Sequence, residues 1–171
     1  MCVALFAMSA QAQVKGDFAV GVKGGLSVAK VVLLDEKETY SRAAFGAFAQ
    51  YNVFDNWRVE VEGLYHPKKD HFSDITLALN LHYLIDVAED FKVYPQFGYG
   101  LAFTNTEAYT DTYENGTISH DSENETDGGF QIGLGAQYNI GEQWFVLADY
   151  KFQPGILGDG HVVNVGVGVR F

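Results

Sequence analysis

At 171 residues the chain has the size of one domain. Hydrophobic residues make up 47% and aromatics 15%, yet mean hydropathy lies near zero and no apolar run approaches the ~20 residues of a membrane helix, so apolar and polar residues must be interleaved. A net charge of −11 excludes a nucleic-acid binder, which needs a basic face, and the single cysteine, Cys2, excludes a disulfide framework.

Residues 1–12, MCVALFAMSAQA, form a short apolar run ending on Ala10-Gln11-Ala12, a small-x-small cleavage site; they read as a secretory signal peptide, with the mature domain over 13–171. Residues 18–28 alternate, with Phe18, Val20, Val22 and Leu26 on one side and Lys23 and Ser27 on the other. Such a period of two is the mark of a strand with unlike faces. Residues 30–40 are polar and charged and are expected to be a loop. A second strand over 43–53 sets Phe45, Ala47, Ala49 and Tyr51 against Phe48, Gln50 and Asn52, and Asp55-Asn56 makes a tight turn. The third, 57–66, alternates Trp57, Val59, Val61 and Tyr65 with Arg58, Glu60, Glu62 and His66. After a loop at 67–73, the fourth, 74–85, sets Ile75, Leu77, Leu79, Leu81, Tyr83 and Ile85 against Thr76, Asn80 and His82. The fifth, 91–104, carries Phe91, Val93, Pro95, Phe97, Tyr99, Leu101 and Phe103 opposite Lys92, Tyr94 and Gln96. Pro95 cannot donate to a ladder, so a bulge is expected there. A long loop spans 105–128, and strand six follows at 130–140. Strand seven, 144–153, sets Trp144, Val146, Ala148, Tyr150 and Phe152 against Asp149 and Lys151. A loop over 154–161 precedes the last strand, 162–171, reading VVNVGVGVRF.

Eight strands of about ten residues suit the tilted staves of a membrane barrel. No outward position in any of them is charged, and a Lys or Arg at the bilayer midplane would cost about 2–4 kcal/mol. Outward aromatics gather at both strand ends as interfacial belts. The charges fall on the other face: Lys23, Arg58, Lys92, Lys151 and Arg170 with Glu60, Glu62 and Asp149. Opposite signs in the narrow interior of eight strands predict a paired polar network rather than a lined channel. Short connections alternate with long ones, which puts both termini on the short-turn side. The predicted fold is all-β: an eight-stranded antiparallel up-and-down transmembrane β-barrel. A soluble barrel would bury the apolar face and scatter Lys and Glu outside; the terminal Phe171, the two aromatic belts and the signal segment favour the membrane.

The pattern resembles the small eight-stranded outer-membrane proteins of Gram-negative bacteria of the opacity and attachment-invasion type. The resemblance is carried by AQAQ at the cleavage region, VGVKGGLS, YNVFDNWRVEVEGLY, YPQFGYGLAF and the terminal VGVGVRF. It implies an integral protein of the bacterial outer membrane, with its long loops extracellular. It also implies outer-membrane lipid and lipopolysaccharide as surroundings and a structural or adhesin-like role. The terminal alternation of Val167, Val169 and Phe171 looks like the signal read by the barrel-assembly machinery.

Four constellations are candidates for chemistry. The 105–128 segment carries Glu107, Asp111, Glu114, Asp121, Glu123, Glu125 and Asp127 with no Lys or Arg. It reads as a solvated acidic loop or a surface for a host or other surface ligand. Acids at every second residue from Asp121 to Asp127 also suggest a calcium loop, but the glycine and distal glutamate of the EF-hand pattern are missing. His71-Phe72-Ser73 resembles the base and nucleophile of outer-membrane lipid A deacylases, with Asp70 or Asp74 as the orienting acid, and supplies an acyl hydrolase alternative. Glu60 with Glu62 could be a catalytic carboxylate pair, but Arg58 and Lys151 favour an ion network. His66 and His82 lack a partner set for a metal. The expectation is a non-enzyme with no cofactor and no metal.

Overall fold

The computed structural model describes residues 15–33, 36–69, 72–106, 109–113, 116–120, 123–154, 156 and 159–171. The signal segment 1–12 and the site candidates Asp70, His71, Glu107, Glu114 and Asp121 lie outside them. The strands are β1 (Phe18–Leu33), β2 (Glu36–Phe54), β3 (Trp57–Lys69), β4 (Phe72–Tyr83), β5 (Ile85–Ala88), β6 (Phe91–Thr106), β7 (Tyr109–Tyr113), β8 (Gly116–His120), β9 (Glu123–Ile140), β10 (Trp144–Gln153) and β11 (Asp159–Arg170).

Sequential strands pair antiparallel, β1 pairs with β11, and β4 pairs with β6, so the sheet closes on itself. β4 and β5 are one stave, because both follow the same register against β6 on either side of Leu84. That gives the eight-stave barrel expected from the sequence. β7 and β8 form a separate two-stranded sheet.

The alternation read from the sequence is the wall of this barrel. Outward Leu134 is 64% exposed and Val165 63%, while inward Gln137 and Lys151 are fully buried. Inside, Ala19, Phe48, Phe145 and Leu147 form an apolar cluster, to which the inward-pointing Phe145 and Leu147 of β10 had not been assigned. Two glycines make room for rings. A Cβ on Gly168 would come within 2.3 Å of the Phe145 ring, and one on Gly135 within 2.2 Å of Tyr94.

The expected loops are shorter than the sequence suggested. The β1–β2 ladder runs unbroken from Phe18↔Tyr51 to Leu33↔Glu36, so the polar stretch 30–40 includes the far end of a hairpin. The β6–β9 ladder likewise reaches Thr106↔Glu123, and β11 begins at Asp159, opposite Lys30. Polar residues extend strands here because pairing satisfies peptide groups whether or not a side-chain face is apolar. Between β3 and β4 the register shifts between His66 and Lys69, where Pro67 has no N–H to offer. Pro95 behaves otherwise than expected. The β6–β9 register passes it without a bulge, and the irregularity falls on the other neighbour, where the β4–β5 stave breaks at Leu84. The Leu84 N–H donates to the Asn56 carbonyl (2.7 Å), and Asn56 Nδ2 donates back to the Leu84 carbonyl (3.0 Å), so the break is closed from the β2–β3 turn.

Replacing Gly135 by alanine should force Tyr94 out of place and cost about 1–3 kcal/mol. The check is the urea midpoint of the folded, heat-modifiable band, with Gly141→Ala as comparison: Gly141 has open space around it but a φ of 67°, so that cost is backbone strain alone.

Candidate functional site: the polar interior and the outer end

Inward positions from six staves meet at mid-barrel. Lys23 of β1 donates to Glu60 Oε1 (2.9 Å), Glu62 Oε2 (2.7 Å) and Asp149 Oδ2 (3.4 Å). Lys151 of β10 donates to the other oxygen of Glu62. Gln50 of β2 donates to Glu60 Oε2 (2.7 Å), Asn80 of β4 to Glu60 Oε1 (3.3 Å) and Asn164 of β11 to Asp149 Oδ1 (2.9 Å). Both oxygens of all three carboxylates therefore hold a donor. The residues are 4% exposed or less, so the cluster is held together by pairing and not by solvent. A second chain of amides adjoins it: Gln153 donates to Gln131 (2.6 Å), and Gln131 to Asn80.

Arg58 stands on the neighbouring side of the interior. Its guanidinium donates to Gln137 Oε1 (2.6 Å) and His82 Nδ1 (3.3 Å from Nε) and lies over the Tyr94 ring at 4.9 Å. His82 stacks on the same ring, with centroids 4.7 Å apart. An arginine used this way spreads its charge over a π face and neutral acceptors.

The expected network is thus gathered only in part. Lys23, Glu60, Glu62, Asp149 and Lys151 meet, and Arg58 lies beside them. Lys92 sits nearer the short-turn end, bonded to Asp86 of β5. Arg170, half-buried, donates to Asn139 (3.0 Å). Parity gave the face of all eight residues; which of them touch depends on how staves distant in sequence stand across the barrel.

One cluster was missed. At the outer end Asp74 accepts from Arg42, and its other oxygen lies 2.6 Å from His66 Nδ1. Arg42 also donates to the carbonyls of His66 (3.3 Å) and Pro67 (3.2 Å). His66 already stands on the inward face of the expected third strand and Asp74 shares the inward parity of Thr76 in the fourth; only Arg42 lay outside the expected strands, and the alternation carried back from Ala44 places it inward too. The same geometry corrects Asp74 as an orienting acid for Ser73: adjacent residues of one strand face opposite ways, and Asp74 is buried inside while Ser73 is on the other face.

The acids of the 105–128 segment are distributed rather than clustered on one loop. Asp111 belongs to β7 and Glu123, Glu125 and Asp127 to β9, with Glu125 exposed and Asp127 half-buried. The alternate-residue spacing that suggested a calcium loop is the alternation of an extended strand paired with β6. Among the described residues no group of His, Cys, Asp and Glu could hold a metal. At the other end, Phe171 stacks on Phe18 (6.4 Å), and its N–H donates to the Phe18 carbonyl (2.8 Å), beside outward Val167 and Val169.

A closed barrel, apolar outside and polar inside, with Trp and Tyr at its rims, defines a transmembrane β-barrel. The chain belongs to the outer membrane protein beta-barrel domain family, which matches residues 1–171, and its place is the bacterial outer membrane. Solved structures share the fold at low identity. Neisserial surface protein A aligns with TM-score 0.69 and 12% identity over 92% of this chain and 98% of its own. The N-terminal β-barrel domain of Pseudomonas aeruginosa OprF aligns with TM-score 0.60 and 16% identity over 93% and 100%. The attachment invasion locus protein Ail of Yersinia pestis, solved with the heparin analogue sucrose octasulfate, aligns with TM-score 0.56 and 16% identity over 92% and 100%. Comparison with curated proteins gives no match.

Replacing Lys23 by methionine leaves the interior acids short of their shared cation and should cost about 3–5 kcal/mol. Adding Glu62→Gln should recover part of that loss, so that the double variant is more stable than Lys23→Met alone. Urea unfolding of the four proteins in one bilayer composition reads the coupling.

Proposed function

We propose that this barrel is a closed pedestal with a plugged interior and no catalytic chemistry of its own, and that it works through segments at its outer end. The observation that carries the reading is the mid-barrel cluster, in which Lys23 ties β3 to β10 and every carboxylate oxygen is already engaged. Such an interior offers neither a water column nor a free acid and base. The staves between the long connections continue beyond the apolar band, and β7–β8 adds a hairpin there. That end is extracellular in this reading.

The partner it would recognise is cationic or neutral. Ail was solved with a sulfated, polyanionic sugar analogue. Here the 105–128 segment holds seven acids and no Lys or Arg, and such a surface repels polyanions. Residues 1–12 would be removed on export, the terminal Val167, Val169 and Phe171 would be read by the assembly machinery, and lipopolysaccharide would surround the outer belt. The lipid A hydrolase alternative loses support, because Ser73 and Asp74 lie on opposite faces.

The test is attachment of cells displaying the barrel with and without residues 106–127, on surfaces coated with a polycation, a neutral matrix protein or heparin. Heat-modifiable mobility first shows that both proteins fold. The expected result is attachment to the cationic or neutral surface that is lost on deletion. Attachment to heparin alone, or attachment unchanged by the deletion, overturns the proposal.

A further inference from the structure

The outer rim of the barrel is uneven. β1–β2 stays paired to Leu33↔Glu36 and β3–β4 to Lys69↔Phe72, but the last β10–β11 pair is Gln153↔Gly160. Pro154 has no N–H with which to carry β10 further. Beyond it the chain turns inward, and buried Ile156 packs where side chains on Gly100 and Gly129 would stand. β10 therefore leaves β9 early. Its last pair with β9 is Phe152↔Ile132, whereas on its other side β9 stays paired with β6 to Thr106↔Glu123. Among the described residues no strand pairs with the β10 side of β9 from Glu123 to Gln131, about 30 Å of extended chain. The β6 side has no such edge, because β4 covers it as far as Phe72↔Thr106. The β7–β8 ladder keeps the same register, Tyr109↔His120 following Thr106↔Glu123 by three residues on each strand.

Outward Phe130 stands in the outer aromatic belt, so the bare edge lies at and above the membrane surface, where water solvates it. An unpaired edge of that length selects one kind of ligand. Its N–H and C=O groups recur on the free side at every second residue, about 6.8 Å apart, a spacing matched by another extended polypeptide and not by a sugar. The two faces of β9 then set which side chains fit. Asp127 pairs with buried Ala102 and so stands on the face continuous with the interior; Glu125 and, by register, Glu123 share that face. Thr126, Gly128 and Phe130 stand on the other. An added strand places every second side chain beside those acids at the same pitch, where opposite charges attract and like charges repel. A second copy of this chain is a poor occupant, because its own 105–128 segment has seven acids and no Lys or Arg.

We propose that the bare β9 edge is a strand-addition site for an extended segment of a partner protein with Lys or Arg at alternate positions. This rests on the reading of the outer end as the working part, and it names the mode of recognition: backbone pairing along β9, with charge deciding which side chains are accepted.

The test titrates the whole barrel, in discs of zwitterionic lipid, with short labelled peptides of equal charge, read by fluorescence anisotropy. They are a Lys-Thr repeat, the same residues in two blocks, and the repeat N-methylated at its Lys or at its Thr amides. Strand addition uses the N–H groups of one peptide edge. Methylation of one alternate set is therefore expected to weaken binding about tenfold, and methylation of the other to leave it unchanged. The block peptide is expected to bind about fivefold more weakly than the repeat. Glu125→Lys should weaken the repeat about fivefold, and Glu89→Lys, in an exposed turn at the other end, should not; heat-modifiable mobility reports the folding of both. Equal affinity for repeat and block, equal effects of the two methylations, or equal effects of the two substitutions overturns strand addition while leaving a cationic partner at the outer end. Binding of none of the peptides also overturns it, and the attachment assay then decides separately on the outer-end reading.

Discussion

A chain in hydrocarbon must satisfy its peptide groups without water, and the rest of this structure depends on that constraint. It is met by returning the last stave to the first: β11 pairs with β1 from Ala19↔Arg170 to Lys30↔Asp159. Closure decides which face is outside. With no edge and a lipid solvent, each stave presents one apolar row outward and one row of any chemistry inward. Where the ladder cannot be completed, a side chain completes it. The Asn56 amide takes the Leu84 carbonyl, and its backbone carbonyl takes the Leu84 N–H.

Eight staves leave an interior only wide enough for side chains, and this determines how charge is handled there. A buried cation costs several kcal/mol unless it is matched, so Lys23 and Lys151 come with Glu60, Glu62 and Asp149, and their remaining oxygens with amides. The apolar cluster of Ala19, Phe48, Phe145 and Leu147 fills the adjoining level, with Lys23 over the Phe48 ring at 4.9 Å. Glycine at 135 and 168 lets Tyr94 and Phe145 lie flat against the wall. At mid-barrel Lys23 and Lys151 pair with Glu60, Glu62 and Asp149, and the carboxylates' remaining oxygens accept from Gln50, Asn80 and Asn164.

The face of each side chain was legible in the sequence, because alternation is a property of a single strand. Contact partners were not, because they depend on the register between staves and on how the staves stand across the barrel. Lys23 reaching Glu60 and Asp149 depends on how distant staves stand across the barrel, which no local pattern encodes. Lys92 was grouped with the central acids on parity alone and pairs instead with Asp86, near the end of its stave. Strand ends were misread for a related reason. Hydrophobic alternation stops where the membrane stops, but the ladder does not, and so Arg42, His66 and Asp74 passed for loop residues or lay at the margin of a strand.

The low identity to barrels of the same fold follows from what each constraint specifies. Outward positions need only be apolar, since lipid does not distinguish Val165 from Leu. Inward positions need complementary volume and charge, which many sets of residues supply together. Outer-end segments are held to neither requirement. The pairing that builds the wall, from Phe18 to Arg170, is indifferent to the charge carried above it, which is why the scaffold accommodates so acidic a segment as 105–128.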